Sequence, residues 1–85
     1  MPSPLVRLYG RPDCHLCDEA RAGLERLRGD GVFFELEEID IESDDELFKR
    51  MLERIPVIEL DGVELYDFFV DEGDLRSRLA SIGPR

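Results

Sequence analysis

The 85-residue chain holds one histidine and two cysteines, and each shortage excludes something. Two thiols and one imidazole fall short of the four ligands of a closed structural zinc site. His15 also lies between Cys14 and Cys17, where it cannot easily reach an ion that they share. No apolar stretch exceeds three residues, whereas a membrane span needs about 20. There is no tandem repeat and no low-complexity tract. The opening MPSPLVRLYG lacks a basic segment followed by an apolar one, so no secretory signal is expected and a cytoplasmic location is. In that reducing compartment a merely structural disulfide is disfavoured and a working one favoured. A two-residue spacer also closes too small a loop for much entropic stabilisation.

Positive charge is scarce as well. Eleven Lys and Arg face 21 Asp and Glu, a net charge of −10, which argues against nucleic acid and anionic membranes as partners. The imbalance is uneven: residues 1–28 stand at +1 and residues 29–85 at −11. The acidic run from Glu35 to Glu46 reads as a solvated edge that keeps the protein soluble, with a basic partner protein as the sharper alternative. The length suits one domain over 1–85 with a single core, a monomer, with residues 1–4 and 83–85 frayed.

Leu5, Val6, Leu8 and Tyr9 make a short strand ended by Gly10 and Pro12. The period then turns helical through Cys17, Ala20, Leu24 and Leu27, with Asp13 as the expected N-cap and Gly29 and Gly31 as the stop. Val32 to Ile39 reads as a second strand, with a bulge expected at Glu37-Glu38. Ser43 to Glu46 fits a capping box opening a helix whose Leu47, Phe48, Met51, Leu52 and Ile55 form one stripe, closed by Pro56. Asp61-Gly62 between Val57–Leu60 and Val63–Tyr66 is a strong hairpin signal. Asp71 is expected to cap a last helix carrying Leu75, Leu79 and Ile82, and Phe68-Phe69 reads as core. The order is β-α-β-α-β-β-α: a right-handed βαβ crossover plus a hairpin. This is an α/β fold with a four-stranded mixed sheet and helices on both faces.

Cys14 therefore falls at the first turn of a helix, where unpaired amides and the helix dipole favour a thiolate. Cys17, one turn on, lies on the same side and within disulfide reach. Cys14 is expected to attack a disulfide and Cys17 to resolve the mixed disulfide. An imidazolium at His15 would tune Cys14 towards the anion, while the charges of Asp13 and Asp18 oppose it.

A Cys-x-x-Cys pair opening the helix of a βαβ unit resembles the thioredoxin superfamily, and the short length resembles its glutaredoxin branch. Tyr9 matches the aromatic that ends the first strand in glutaredoxins. Arg11, three residues before Cys14, matches their Lys or Arg that contacts a glutathione carboxylate. Ile55-Pro56 matches the cis-proline, which implies that the Ile55 backbone faces Cys14 as an edge for a substrate peptide. The resemblance covers residues 5 to about 80 and implies a dithiol oxidoreductase acting on protein or glutathione mixed disulfides, with no required cofactor and glutathione as a co-substrate.

The chain departs from that pattern in three places. His15-Leu16 replaces the usual Pro-Tyr, a feature resembling bacterial glutaredoxin-like proteins with Cys-His-Leu-Cys sites. Tyr66-Asp67-Phe68-Phe69-Val70-Asp71 replaces the Gly-Gly-x-Asp that holds the γ-glutamyl end, leaving Asp71 as a candidate contact there. Arg54 replaces a Thr, as a charge that could serve a ligand. Alternatives stay open: a redoxin driven by thioredoxin reductase without glutathione, a dimeric iron–sulfur carrier through Cys14, and an adaptor docking through its acidic face.

Overall fold

Along β1 (Leu5–Gly10), Val6 and Leu8 alternate with Leu5, Arg7 and Tyr9, so both faces of the strand carry side chains that need cover. Such a strand belongs in the middle of a sheet. In the computed structural model, which describes residues 3–82, it lies there. The other elements are α1 (His15–Gly29), β2 (Glu35–Asp40), a 3₁₀ turn (Ile41–Ser43), α2 (Asp45–Met51), β3 (Val57–Leu60), β4 (Val63–Asp67) and α3 (Glu72–Ile82). The sheet order is β2-β1-β3-β4. β1 runs parallel to β2 and antiparallel to β3, and β3 runs antiparallel to β4. Order and direction match the β-α-β-α-β-β-α expectation.

Helices cover both faces. On one, Val6, Leu8, Ile58 and Leu60 pack against Ala20, Leu24 and Leu27 of α1 and Leu75 and Leu79 of α3. On the other, Tyr9 and Val57 pack with Ile41, Met51 and Ile55. Helix α2 is only seven residues long, too short for the whole second face. Where its cover ends, Arg7 of β1 sits between Glu37 and Glu59, its register partners on the flanking strands. It binds Glu37 at 2.7 Å and Glu59 at 3.2 Å. At the hairpin, Asp61 and Gly62 take φ of 48° and 87°, the positive values that a type I′ turn requires. The Asp61 carboxylate also accepts the Leu5 N–H at 2.8 Å, and the Asp61 N–H returns a bond to the Leu5 carbonyl. The turn is thereby tied to the start of the central strand.

The structure departs from the sequence expectations in several places. β2 starts at Glu35 rather than Val32, and its pairing with β1 is regular through Glu37-Glu38. The irregularity lies instead between Ile58 and Glu59, where one strand carries a polar residue inside an apolar run. Ser43 does not cap α2; its hydroxyl donates to the Asp40 carbonyl at 2.6 Å, and Asp44 caps through bonds from the Glu46 and Leu47 amides. Helix α2 ends at Met51, so Leu52 lies beyond it and is exposed. Pro4 is buried and accepts the Glu35 N–H at 2.8 Å, so the frayed start does not include it. Residues 1–2 and 83–85 lie outside the described residues.

Among the described residues no helix is long and apolar enough to cross a membrane. Because Asp44 and not Ser43 satisfies the α2 amides, Asp44→Ala should lower stability by about 1 kcal/mol. Ser43→Ala should cost less than half of that, as read from urea unfolding midpoints.

Candidate active site

Four residues carry the chain from the end of β1 into α1. Asp13 takes φ 59°, a left-handed conformation that Asp tolerates better than most residues. That turn moves the cap position one residue along. Cys14, with extended φ −106° and ψ 108°, is the N-cap of α1, and its sulfur accepts the Cys17 N–H at 3.2 Å. Asp13 is therefore not the cap expected from sequence. A sulfur in a cap position lies in the field of free first-turn amides, which favours negative charge on it.

Cys14 is half-buried and Cys17 is 2% exposed. The two are joined as a disulfide with Cα atoms 5.2 Å apart. Cys17 seats against Gly10, where a Cβ would stand 2.9 Å from the Cys17 sulfur and 3.1 Å from its Cβ. The glycine that ends the strand is thus also the floor under the second cysteine. Cys14 packs on the cluster of Tyr9, Ile41, Met51, Ile55 and Val57. Ile55 and Pro56 are buried and joined by a cis peptide.

Two clefts, each of about 280 Å³, lie beside α1. The first brings Arg11, Asp13 and Cys17 together, with Arg21, Glu38 and Asp40 on its walls. Arg11 makes one long contact there, 3.8 Å to Glu42. The second lies on the opposite side of α1, between Leu16 and Phe68-Phe69-Val70. Phe68 and Phe69 are 50% and 61% exposed, so they are not the core pair that their composition suggests. Phe68 has φ 74°, and its N–H donates to the Pro56 carbonyl at 2.8 Å and to Arg54 at 3.2 Å. That turn aims both rings outward.

The remaining expected residues are dispersed. His15 is exposed and points along the helix to Glu19, 2.7 Å away. Arg54 makes a two-pronged contact with Asp67 at 3.1 and 3.0 Å and also binds Glu64. Its guanidinium is committed to the β4 carboxylates, which hold its pKa further above the ordinary value, the Asp67 bond first. Asp71 caps α3 by accepting the Asp74 N–H at 3.0 Å. Among the described residues, no group of three or more His, Cys, Asp or Glu is placed to hold a metal ion.

Gly10, Glu59 and Leu16 matter to the site and were given no role in it from sequence. Glu59 is 8% exposed and accepts from Tyr9 Oη at 3.1 Å as well as from Arg7. Burial, then that bond, pushes the Tyr9 hydroxyl up from its usual range. The signal for Glu59 was present as a lone acid inside Val57-Ile58-Glu59-Leu60. A second network joins β4 to α3. Tyr66 Oη donates to Asp74 at 2.5 Å and Arg78 donates to the same oxygen at 2.7 Å. Together they hold the Asp74 carboxyl below its ordinary value, the Tyr66 bond first.

Two outcomes follow from this geometry. Gly10→Ala should cost about 1–3 kcal/mol through overpacking against Cys17. Gly29→Ala, with nothing within 4 Å of the added methyl, should be neutral or slightly stabilising; thermal melts of the two variants check this. For Asp74, a depressed folded pKa gives stability that is present above the unfolded value and lost as pH falls through the folded one. Tyr66→Phe removes the main cause, so the stability gap from wild type should shrink as pH drops from about 5 to about 2. Urea midpoints across that range measure it.

A family model described as "Glutaredoxin-like domain (DUF836)" matches residues 5–80. Among solved structures, protein Ne2328 from Nitrosomonas europaea is 31% identical, with TM-score 0.76 over 92% of this chain and 93% of that one. Protein XcR50 from X. campestris is 34% identical, with TM-score 0.72 over 93% and 99%. Mitochondrial thioredoxin 3 of Saccharomyces cerevisiae, in its oxidized form, shares the fold at 15% identity and TM-score 0.64, over 95% and 80%. No curated protein matches the chain. With the family match spanning nearly the whole chain, and a thioredoxin-like sheet carrying a Cys-x-x-Cys pair at the mouth of its first helix, the protein belongs to the glutaredoxin-like domain family (DUF836).

Proposed function

We propose that the chain is a dithiol thiol–disulfide oxidoreductase that reduces disulfides of other proteins, working as a monomer in the cytoplasm. The observation that carries this reading is the unequal setting of the two sulfurs. Cys14 caps α1 with partial access to solvent, and Cys17 is shut in against Gly10. The Cys14 thiolate attacks one sulfur of the substrate disulfide; that S–S bond breaks and the first substrate thiolate leaves and takes a proton from water. Cys17, deprotonated, then attacks the Cys14 sulfur and releases the second substrate thiol. The substrate disulfide gains two electrons, and the protein dithiol loses two as it becomes the Cys14–Cys17 disulfide. Only the exposed sulfur meets the substrate, so the sheltered one is kept for the intramolecular step.

Re-reduction needs two further thiols, from a low-molecular-weight thiol such as glutathione or from a dithiol reductase. Arg11, at the cleft beside Cys17 with one long contact to Glu42, is the cation we assign to a carboxylate of such a thiol. Arg54 is not assigned to it, since Asp67 and Glu64 already occupy its guanidinium.

In reduction of a small disulfide with glutathione as donor, Cys14→Ser should lose at least about a hundredfold in turnover. Cys17→Ser should accumulate a mixed disulfide on Cys14, visible as a mass increase that a reductant reverses. Turnover of Cys14→Ser within about twofold of wild type would discard the reading.

A further inference from the structure

We propose that Ile55 recognises a substrate through its backbone carbonyl alone, which accepts one secondary-amide N–H carried two carbons from the attacked sulfur. This deepens the thiol–disulfide reading and rests on it. A strand-like edge for a peptide would both donate and accept backbone hydrogen bonds. The segment from Arg54 to Pro56 cannot do both, because its own donors are spent. The Arg54 N–H donates to the Met51 carbonyl at 2.8 Å, and the Ile55 N–H donates to the same oxygen at 3.1 Å. Pro56 has no N–H to give. The Arg54 guanidinium is held by Asp67 and Glu64, so no cationic side chain of this segment replaces the missing donor.

The acceptors are used unevenly. The Phe68 N–H donates to the Pro56 carbonyl at 2.8 Å and to the Arg54 carbonyl at 3.2 Å. The carbonyl between them, on Ile55, takes no backbone hydrogen bond among the described residues. Ile55 is 9% exposed, and the carbonyls of buried residues rarely stay without a donor. Ile55 also belongs to the apolar cluster on which Cys14 packs, so the open acceptor is part of the wall that supports the attacking sulfur. In a polypeptide the amide nearest a cysteine sulfur is the cysteine's own N–H, two carbons away. A disulfide carrying that N–H meets its acceptor here, whereas one offering only a carbonyl meets no donor.

The test uses reduced wild-type protein freed of excess reductant and three symmetric disulfides. That of N-acetylcysteamine carries the N–H without a cysteine carbonyl. That of acetoxyethanethiol has an ester oxygen in place of the N–H. That of N-acetylcysteine dimethylamide adds the carbonyl without a second N–H. Each reaction converts one disulfide into two thiols and the protein dithiol into the Cys14–Cys17 disulfide, both protons passing to the released thiols. Chromatography after acid quenching separates reduced from oxidised protein. Each rate is divided by that of dithiothreitol with the same disulfide, which removes differences between leaving thiols. The amide should then exceed the ester about fivefold, the worth of one neutral hydrogen bond. The dimethylamide should stay within about twofold of N-acetylcysteamine, since its carbonyl finds no donor. An amide-to-ester ratio below about twofold would overturn the proposal, as would a dimethylamide more than about twofold faster than N-acetylcysteamine. If none of the three oxidises the protein, the thiol–disulfide reading itself fails.

Discussion

The site depends on one close approach. The central strand ends in Gly10, whose bare Cα lets the Cys17 sulfur settle where a methyl group would stand 2.9 Å from it. Because Cys17 can sit that deep, α1 comes down onto the end of β1, and the residue three places earlier becomes the cap rather than part of the first turn. A larger residue at position 10 would lift the helix start. The cap bond from the Cys17 amide to the Cys14 sulfur and the burial of Cys17 would then be disturbed together. Asymmetry between the two sulfurs is therefore set by the backbone and not by any charged neighbour. His15, the obvious candidate for tuning, turns away to Glu19.

The sheet explains why polar chemistry appears on one side of the molecule. Helices α1 and α3 cover one face fully, so Val6, Leu8, Ile58 and Leu60 are apolar there. The other face has only the seven residues of α2, enough to shelter the Tyr9–Val57 end next to the cysteines. Past that cover, the strands use charge in register. Arg7 stands between two carboxylates, and one of them, Glu59, also accepts from Tyr9. A buried carboxylate without partners would be costly, and here it has two. The apolar patch behind Cys14 and the ionic patch behind Arg7 meet on one side chain, Tyr9, with its ring in the first and its hydroxyl in the second.

Much of this was legible from residue order. Alternation in β1, helical spacing in α1 and Asp61-Gly62 at the hairpin placed the elements, because each is a local signal with a local cause, while the cis bond at Ile55-Pro56 was implied by the family resemblance. What the sequence hid was set by tertiary contact. Asp13 looks like a cap because Asp often is one, yet the chain must turn sharply to bring Cys17 over Gly10, and Asp13 supplies the turn instead. Ser43 loses the α2 cap because its hydroxyl is used by the 3₁₀ turn that precedes the helix. Arg54 looks available in sequence, but β4 brings two carboxylates to it. Phe68-Phe69 looks like core because aromatic pairs usually are; the left-handed residue that turns them outward leaves no trace in composition.

The two clefts divide the surroundings of the disulfide between different chemistries. On one side, Arg11, Asp13, Arg21, Glu38 and Asp40 surround an opening that reaches the buried sulfur, with charges of both signs. On the other, Leu16 and the Phe68–Val70 strip form an apolar wall beside the Arg26–Glu72 ion pair. Helix α1 separates them, and the half-exposed Cys14 caps its start.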